Sequence, residues 1–376
     1  MKFDGPVPMT ILDLRQRARA RTEFSLRDWL GLTTIAPYGG TYGGIRKIDA
    51  SEHRDFVYAL LGVATDEAAK DITPDYALSC CEAYVMTARS LLKHKHYDIF
   101  SLCRGQKRKH DLPSWVPDWF TTIEQPWSMS FSHPERSYNA CGHLVDQSRT
   151  RTIAANLLSD LEFDTLIVDV VDQVGEFYTL SMATDRHWHN LRQYFIDLHS
   201  YLAQSTMYSP LEKIEAEWRT PIADIQYTAS NREYARAPEQ SHMSVGYMRA
   251  KEVHGWSSNG TPQSNLAETL QAFYSFTETP EALYSSDSPY ACYIMQLERM
   301  YNTRPFLSHK GYVGLCPPET EPGDTIAVFA GVKLPYIIRL NTNGSTWKLI
   351  GEAYVHGIMD GEYVSSRSQT EMITLH

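Results

Sequence analysis

The side chains best suited to general acid–base chemistry lie near the carboxyl end of the chain. His356, Asp360 and Glu362 follow one another in a short glycine-containing stretch, where an imidazole beside carboxyl groups could exchange protons with a substrate. Arg339, in an apolar run, could donate hydrogen bonds to a developing negative charge. These four residues are the candidate catalytic groups. Two alternatives stay open, since Asp360-Gly361 is also an ordinary turn sequence and Arg339 could be a buried ion-pair partner.

Aromatic residues supply the candidate substrate-binding groups. The chain contains 23 Tyr, 8 Trp and 13 Phe, and such rings suit either a cavity or a core threaded with polar contacts. The candidates are Trp115, Asp118, Trp119 and Tyr354. For the tryptophan string we favour a structural interpretation, in which proline fixes an extended path, the indoles pack and Asp118 caps neighbouring backbone.

Sequence motifs for cofactors and covalent catalysis are absent. The chain has no Gly-x-Ser-x-Gly elbow, phosphate-binding loop, dinucleotide fingerprint or His-Glu-x-x-His. The pairs His94/His96 and His187/His189 have a spacing that turns two helical side chains in different directions. We therefore predict no cofactor and no metal.

Composition restricts the partners. The net charge of -10 and the single short basic run at 107–110 argue against nucleic acid, which requires clustered excess Lys and Arg. No apolar stretch approaches the roughly 18 residues of a membrane span. The six cysteines lack zinc-ligand spacing, so we expect a reducing, cytoplasmic location. The expected partner is an apolar small molecule or a protein.

Elements that would position these residues follow from hydrophobic periodicity. Alternation over 163–174 predicts a strand, and the sequence after Gly311 predicts four short strands with a hairpin turn at 341–344. Helical periodicity precedes them. The predicted fold class is α+β, with a helical region packed on a C-terminal antiparallel β-sheet or partial barrel that the strand at 163–174 could complete. Helices are predicted at 54–62, from Pro74 to Lys93, after Asp185, at 265–276 and at 290–301.

The same periodicity divides the chain into five segments. They are an N-terminal arm at 1–53, a helical region at 54–150, a strand plus helical region at 151–310 with a polar, partly ordered insertion at about 207–263, an antiparallel β region at 311–364, and a tail at 365–376.

Three blocks of the sequence carry recognisable motifs. Arg54–Ala64 reads RDFVYALLGVA and is followed by Pro74-Asp75-Tyr76. Leu112–Trp119 reads LPSWVPDW, and fragments between Gly311 and Glu362 form the third block. Together these blocks resemble the fungal heterokaryon-incompatibility (HET) family. The first is similar to the family's "(P)RDKVYALLGLA … PDY", with Phe56 replacing Lys and His53 preceding Arg54, and the second matches the family's "LPSWVPDW" without a change. The resemblance covers about 50–364, least securely in the central insertion.

The resemblance also carries an expectation about what is missing. HET proteins normally open with a strand that ends in "LSYxWG", within a fold similar to TIR domains, and no such string occurs here. We therefore expect that TIR-like cleavage of NAD is not an activity of this chain.

Two functional hypotheses follow. The first is a HET-derived, cofactor-independent cyclase, of pericyclic or Diels–Alder type, acting on an apolar terpenoid or polyketide intermediate of secondary metabolism. It would shape the substrate and exclude water, and it requires a closed apolar cavity with a Tyr, His or Arg projecting into it. The alternative is a non-enzymatic interaction module in heterokaryon incompatibility or regulated cell death, which requires an exposed apolar patch.

Overall fold

The structure is a computed structural model. It describes residues 24–36, 50–103, 108–121, 123–124, 126–130, 137–147, 160–178, 184–228, 233–254, 288–365 and 369–376. The predicted helix at 265–276 lies outside these residues. Among the described helices, none has the length and hydropathy that crossing a membrane would require.

Nine α-helices precede or accompany the sheet in the described part. Several begin at serine caps whose side chain accepts a backbone N–H while a following carboxylate bonds back, as at Ser25, Ser79 and Ser209. The helices are α1 (Leu26–Thr34), α2 (Asp55–Leu61), α3 (Glu67–Lys70), α4 (Cys80–Lys93), α5 (Thr184–Gln204), α6 (Pro210–Arg219), α7 (His242–His254), α8 (Pro289–Arg299) and α9 (Glu362–Ser365).

Helix α4 begins later than the sequence predicted. Pro74 does not open it, because Ser79 and Glu82 form a capping box one turn further on, with the Ser79 N–H 2.7 Å from the Glu82 carboxylate. The segment from Pro74 to Ser79 is a turn, and Arg54 donates to its carbonyls at Tyr76 and Leu78. A local side-chain cap therefore decides where this helix starts.

The interval 207–263 is more regular than the predicted partly ordered insertion. Its described part contains α6, α7 and a hairpin of β4 (Ile225–Thr228) with β5 (Glu233–Arg236). Trp218, Met243 and Tyr247 are buried there. The weak periodicity misled the prediction because only one or two side chains per turn face the core, while the remainder are solvated.

Strands form an eight-stranded, mostly antiparallel sheet that confirms the predicted α+β class. Its strands are β3 (Leu161–Val174), β6 (Arg304–Ser308), β7 (Val313–Cys316), β8 (Thr325–Phe329), β9 (Pro335–Leu340), β10 (Trp347–Glu352), β11 (Tyr354–Val355) and β12 (Glu371–Leu375). The long strand β3 pairs with three neighbours, and five strands close a ring in the order β3-β12-β10-β9-β8-β3. A short parallel pair, β1 (Ile35–Ala36) with β2 (Ile123–Glu124), stands apart from it.

Two strands of the eight-stranded sheet differ from the sequence interpretation. The segment at 365–376, taken as a tail, contains β12, which pairs antiparallel with β3 from Glu371 to Leu375. Strand β6 was not predicted at all. The five-segment division otherwise stays a prediction.

Both faces of the ring strands are covered. Side chains alternate between two hydrophobic clusters, so that Ala327 and Phe329 join one while Ile326 and Val328 join the other, as the two-residue period of a strand requires. The larger cluster packs the sheet against the helical region through aromatic rings. Its centre consists of Phe100, Phe163, Phe329 and Tyr336, with ring centroids 5.4 to 6.0 Å apart.

Candidate functional site

The four candidate catalytic residues do not form one site. Arg339 binds Asp324 through two hydrogen bonds of 2.7 and 2.9 Å and donates to the carbonyl of Glu319. The hydrogen bond that Arg339 donates to Asp324 raises the pKa of Arg339, although burial opposes the rise. The geometry therefore matches the alternative in which Arg339 is an ion-pair partner.

Asp360 and Glu362 are exposed and held by structural contacts. Arg236 donates to both carboxylate oxygens of Asp360 at 2.8 and 3.0 Å and also pairs with Asp224. Glu362 accepts the Asp360 backbone N–H at 2.8 Å. These contacts fasten the 356–361 turn to the β4–β5 hairpin.

His356 lies close to Tyr354, and both its ring and its backbone carbonyl are within hydrogen-bond distance of a tyrosine hydroxyl. Its Nδ1 lies 3.2 Å from the Tyr354 hydroxyl, and its carbonyl accepts a hydrogen bond from Tyr208 at 2.9 Å. Burial, followed by the charge of Arg219, lowers the pKa of His356 to about 4. The ring is thus neutral near pH 7, while Tyr354 is buried in the core.

The Leu112–Trp119 string joins the helical region to the barrel. Trp115 and Trp119 are fully buried, with Trp119 against Tyr84 of α4 and Trp115 beneath the guanidinium of Arg89. Ser114 accepts the Leu349 N–H of β10 at 2.9 Å and donates to the His376 carbonyl after β12. The string thus does structural work, as the favoured interpretation expects.

Asp118 caps neighbouring backbone, also as expected, and in addition orients a histidine. Its buried carboxylate accepts the backbone N–H groups of Lys109, His110 and Phe120 at 2.8 to 3.2 Å. It also lies 3.0 Å from Nδ1 of His110.

A second histidine, His53, and the thiol of Cys80 lie beside His110. The Nε2 of His110 faces Nδ1 of His53 at 3.0 Å, and one ligand atom each from His53, Cys80 and His110 lies within 4.8 Å of the others. We call His53, Cys80 and His110 the imidazole–thiol cluster. The cluster is not predictable from the sequence because its members are far apart in the chain and only the Asp118 cap brings His110 into place.

The cluster does not have the properties of a nucleophile. Burial raises the pKa of the Cys80 thiol to about 11, the opposite of the lowered value that a reactive cysteine needs, and His53 occupies the His110 nitrogen that would serve as base. Burial, followed by the charge of His110, lowers the pKa of His53. Two imidazole nitrogens beside a thiol are instead metal-ligand chemistry.

His94 and His96 contact different carboxylates. His94 lies 2.9 Å from Asp71, whereas His96 lies 3.6 Å from Asp66. The side chains of His187 and His189 lie outside the described residues.

Two of the cavities in the described part of the chain bear on the cyclase hypothesis. One, of about 380 Å³, has hydroxyl and charged groups in its wall; the other, of about 650 Å³, includes the candidate Arg339. Neither resembles the closed apolar cavity that a cyclase would need. The first is lined by Arg27, Lys95, His96, Tyr97, Asp98, Ser101, Ser128, Met129, Ser137, Tyr138, Gly331, Val332, Lys333, Leu334 and Tyr336. The second is lined by Cys103, Arg108, Asp111, Leu112, Pro113, Ser114, Glu319, Arg339, Asn341, Lys348, Leu349, Ile350 and His376.

Comparison with known proteins assigns the barrel. Residues 166–374 match the family model of the Het-6 beta-barrel domain. The chain belongs to this heterokaryon-incompatibility family. It is also 27% identical over 367 residues to heterokaryon incompatibility protein 6, OR allele, of Neurospora crassa, an alignment that covers 87% of this chain and 51% of that protein. The chain thus spans about half the length of this relative.

The family match explains the closed ring. The matched residues include Glu371 to Thr374 of β12, so the strand that completes the ring belongs to the family's barrel. No solved structure matches the chain.

Proposed function

We propose that the chain is a non-enzymatic interaction module of a fungal heterokaryon-incompatibility protein, acting in nonself recognition in the cytoplasm. The observation that carries the proposal is its similarity to the Neurospora relative across 87% of the chain, extending beyond the barrel domain itself. None of the six cysteines, all of which lie in the described part of the chain, forms a disulfide bond, which suits a reducing compartment.

A specific surface supports binding of a partner. Leu211 and Ile214 of α6 are 77% and 61% exposed, and Val245 and Met248 of α7 are each 54% exposed. Each pair is three residues apart, so its members share one side of a helix. We use the name outer helical face for these two exposed pairs, one on each helix, and its proposed occupant is an apolar surface of a partner protein in the incompatibility response.

The two helices are fixed neighbours. Tyr247 and Lys251 of α7 donate to Glu217 of α6 at 2.8 and 2.5 Å. The hydrogen bonds from His199, Lys251 and Tyr247 outweigh burial and lower the pKa of Glu217 to about 2. This charged contact keeps the two helices together without covering the exposed apolar side chains.

The proposal is tested by fusing fungal strains that carry two sequence-different versions of this chain. We expect arrested growth in unlike pairs, normal growth in like pairs, and relief when one copy is deleted. Equal growth of like and unlike pairs would overturn the proposal. Comparing metabolites of deletion and parent strains separates the cyclase hypothesis, which instead requires that an unconverted precursor accumulate.

A further inference from the structure

The imidazole–thiol cluster has no part in the proposed function. It is the one group of three His, Cys, Asp or Glu ligands close enough to share a metal ion among the described residues. Its members come from three separate segments: His53 precedes α2, Cys80 is the first residue of α4, and His110 precedes the Leu112–Trp119 string.

We propose that His53, Cys80 and His110 bind a zinc-type divalent cation, with water as the fourth ligand. Two imidazole nitrogens and a thiolate are the donor set that zinc prefers, and three protein ligands leave one tetrahedral position open. All three residues are only partly buried, so an ion and its water can reach them.

The distances suit this geometry. Zinc bonds of about 2.0 Å to nitrogen and about 2.3 Å to sulfur place tetrahedral ligand atoms roughly 3.3 to 3.6 Å apart. The Nδ1 of His53 and the Nε2 of His110 are 3.0 Å apart, and no pair in the cluster exceeds 4.8 Å. Small side-chain rotations therefore suffice.

Asp118 supplies the outer contact that such sites use. As a carboxylate it only accepts hydrogen bonds, so His110 donates to it from Nδ1 and presents the lone pair of Nε2 to the cluster. Without metal, that lone pair accepts a hydrogen bond from the Nδ1–H group of His53. Binding requires His53 to carry its proton on Nε2 and Cys80 to release its own to solvent. The thiolate and Asp118 together balance the two charges of the cation.

Metal titration of the purified full chain tests this site. Zinc affinity is measured by calorimetry, and Co²⁺ is used as a spectroscopic probe because thiolate ligation gives a ligand-to-metal charge-transfer band. We expect one ion per chain and a charge-transfer band. Cys80→Ser should abolish the band and weaken zinc binding by more than about tenfold, the lower end of the loss for an outer-contact residue.

The neighbouring thiol provides a matched control. Cys81→Ser, outside the cluster, should keep both the band and the affinity, and His53→Gln should weaken affinity as Cys80→Ser does. Circular dichroism verifies that each variant is folded. A band that survives Cys80→Ser, or loss of zinc binding in Cys81→Ser alone, would overturn the proposal, as would a wild-type chain that binds neither ion.

Discussion

The aromatic interior and the outer helical face present apolar side chains in opposite ways. Inside, Phe163 and Tyr336 are fully buried among other rings and join the helical region to the ring of strands. Outside, Leu211 and Ile214 lie on α6, which packs against the rest of the fold through its buried residues Ala216 and Trp218. The interior rings are packed against one another, whereas the outer side chains have apolar area still exposed.

This difference separates the two functional hypotheses. A cyclase needs its apolar surface enclosed, but the two described cavities have charged and hydroxyl groups in their walls. An interaction module needs apolar surface that is exposed to a partner. Changes in the interior should therefore affect folding, and changes on the outer helical face should affect recognition alone.

The largest effect is expected in the interior. Phe163→Ala removes a fully buried ring from the aromatic centre and should lower the free energy of unfolding by about 3 to 5 kcal/mol. Urea denaturation measures it. The exposed Phe177 is the matched control, and equal losses for Phe163→Ala and Phe177→Ala would show that the interior is not packed as described.

The Asp118 cap should come next. Asp118→Ala leaves three backbone N–H groups and the His110 ring without their acceptor, which should lower the free energy of unfolding by about 2 to 4 kcal/mol. Asp111→Ala, at an exposed neighbouring position, should cost little. An unchanged midpoint for Asp118→Ala in urea would refute a capping role.

His356 should make stability depend on pH. Its folded pKa of about 4 is below the usual histidine value of 6.5, so the unfolded chain binds more protons between these values and stability falls as pH drops through the window. The loss should reach about 2 to 3 kcal/mol at pH 4. His356→Gln should remove this part of the slope, whereas exposed His309→Gln should keep it. Identical slopes for the two variants would contradict the assignment.

The smallest stability effect is expected on the outer helical face. Leu211→Glu with Ile214→Glu changes two exposed side chains and should shift the free energy of unfolding by less than about 0.5 kcal/mol. Thermal unfolding measures it. A larger loss would mean that these side chains support the fold.

Sequence reasoning succeeded where the deciding interactions are local. The Asn341–Gly344 turn was predicted because its residue types carry their own geometry, and Gly344 indeed has a positive φ of 68°. Asp118 was correctly interpreted as a cap because its N–H partners are close in the chain.

It failed where a distant partner decides. Strand β12 gains its conformation from pairing with β3, which no local pattern in the last residues reveals. Arg339 and Asp360 are potential catalysts by type, but Asp324 and Arg236 engage them in the fold. The imidazole–thiol cluster is likewise visible only after folding joins three segments.

The most direct test compares variants of the outer helical face in the strain-fusion assay. The double variant Leu211→Glu/Ile214→Glu, verified as folded, is compared with Val63→Glu/Met86→Glu, which alters exposed apolar residues elsewhere. We predict that the first variant abolishes growth arrest in unlike pairs and that the second retains it. Undiminished arrest with the first variant, or equal loss with both, would contradict recognition through this face.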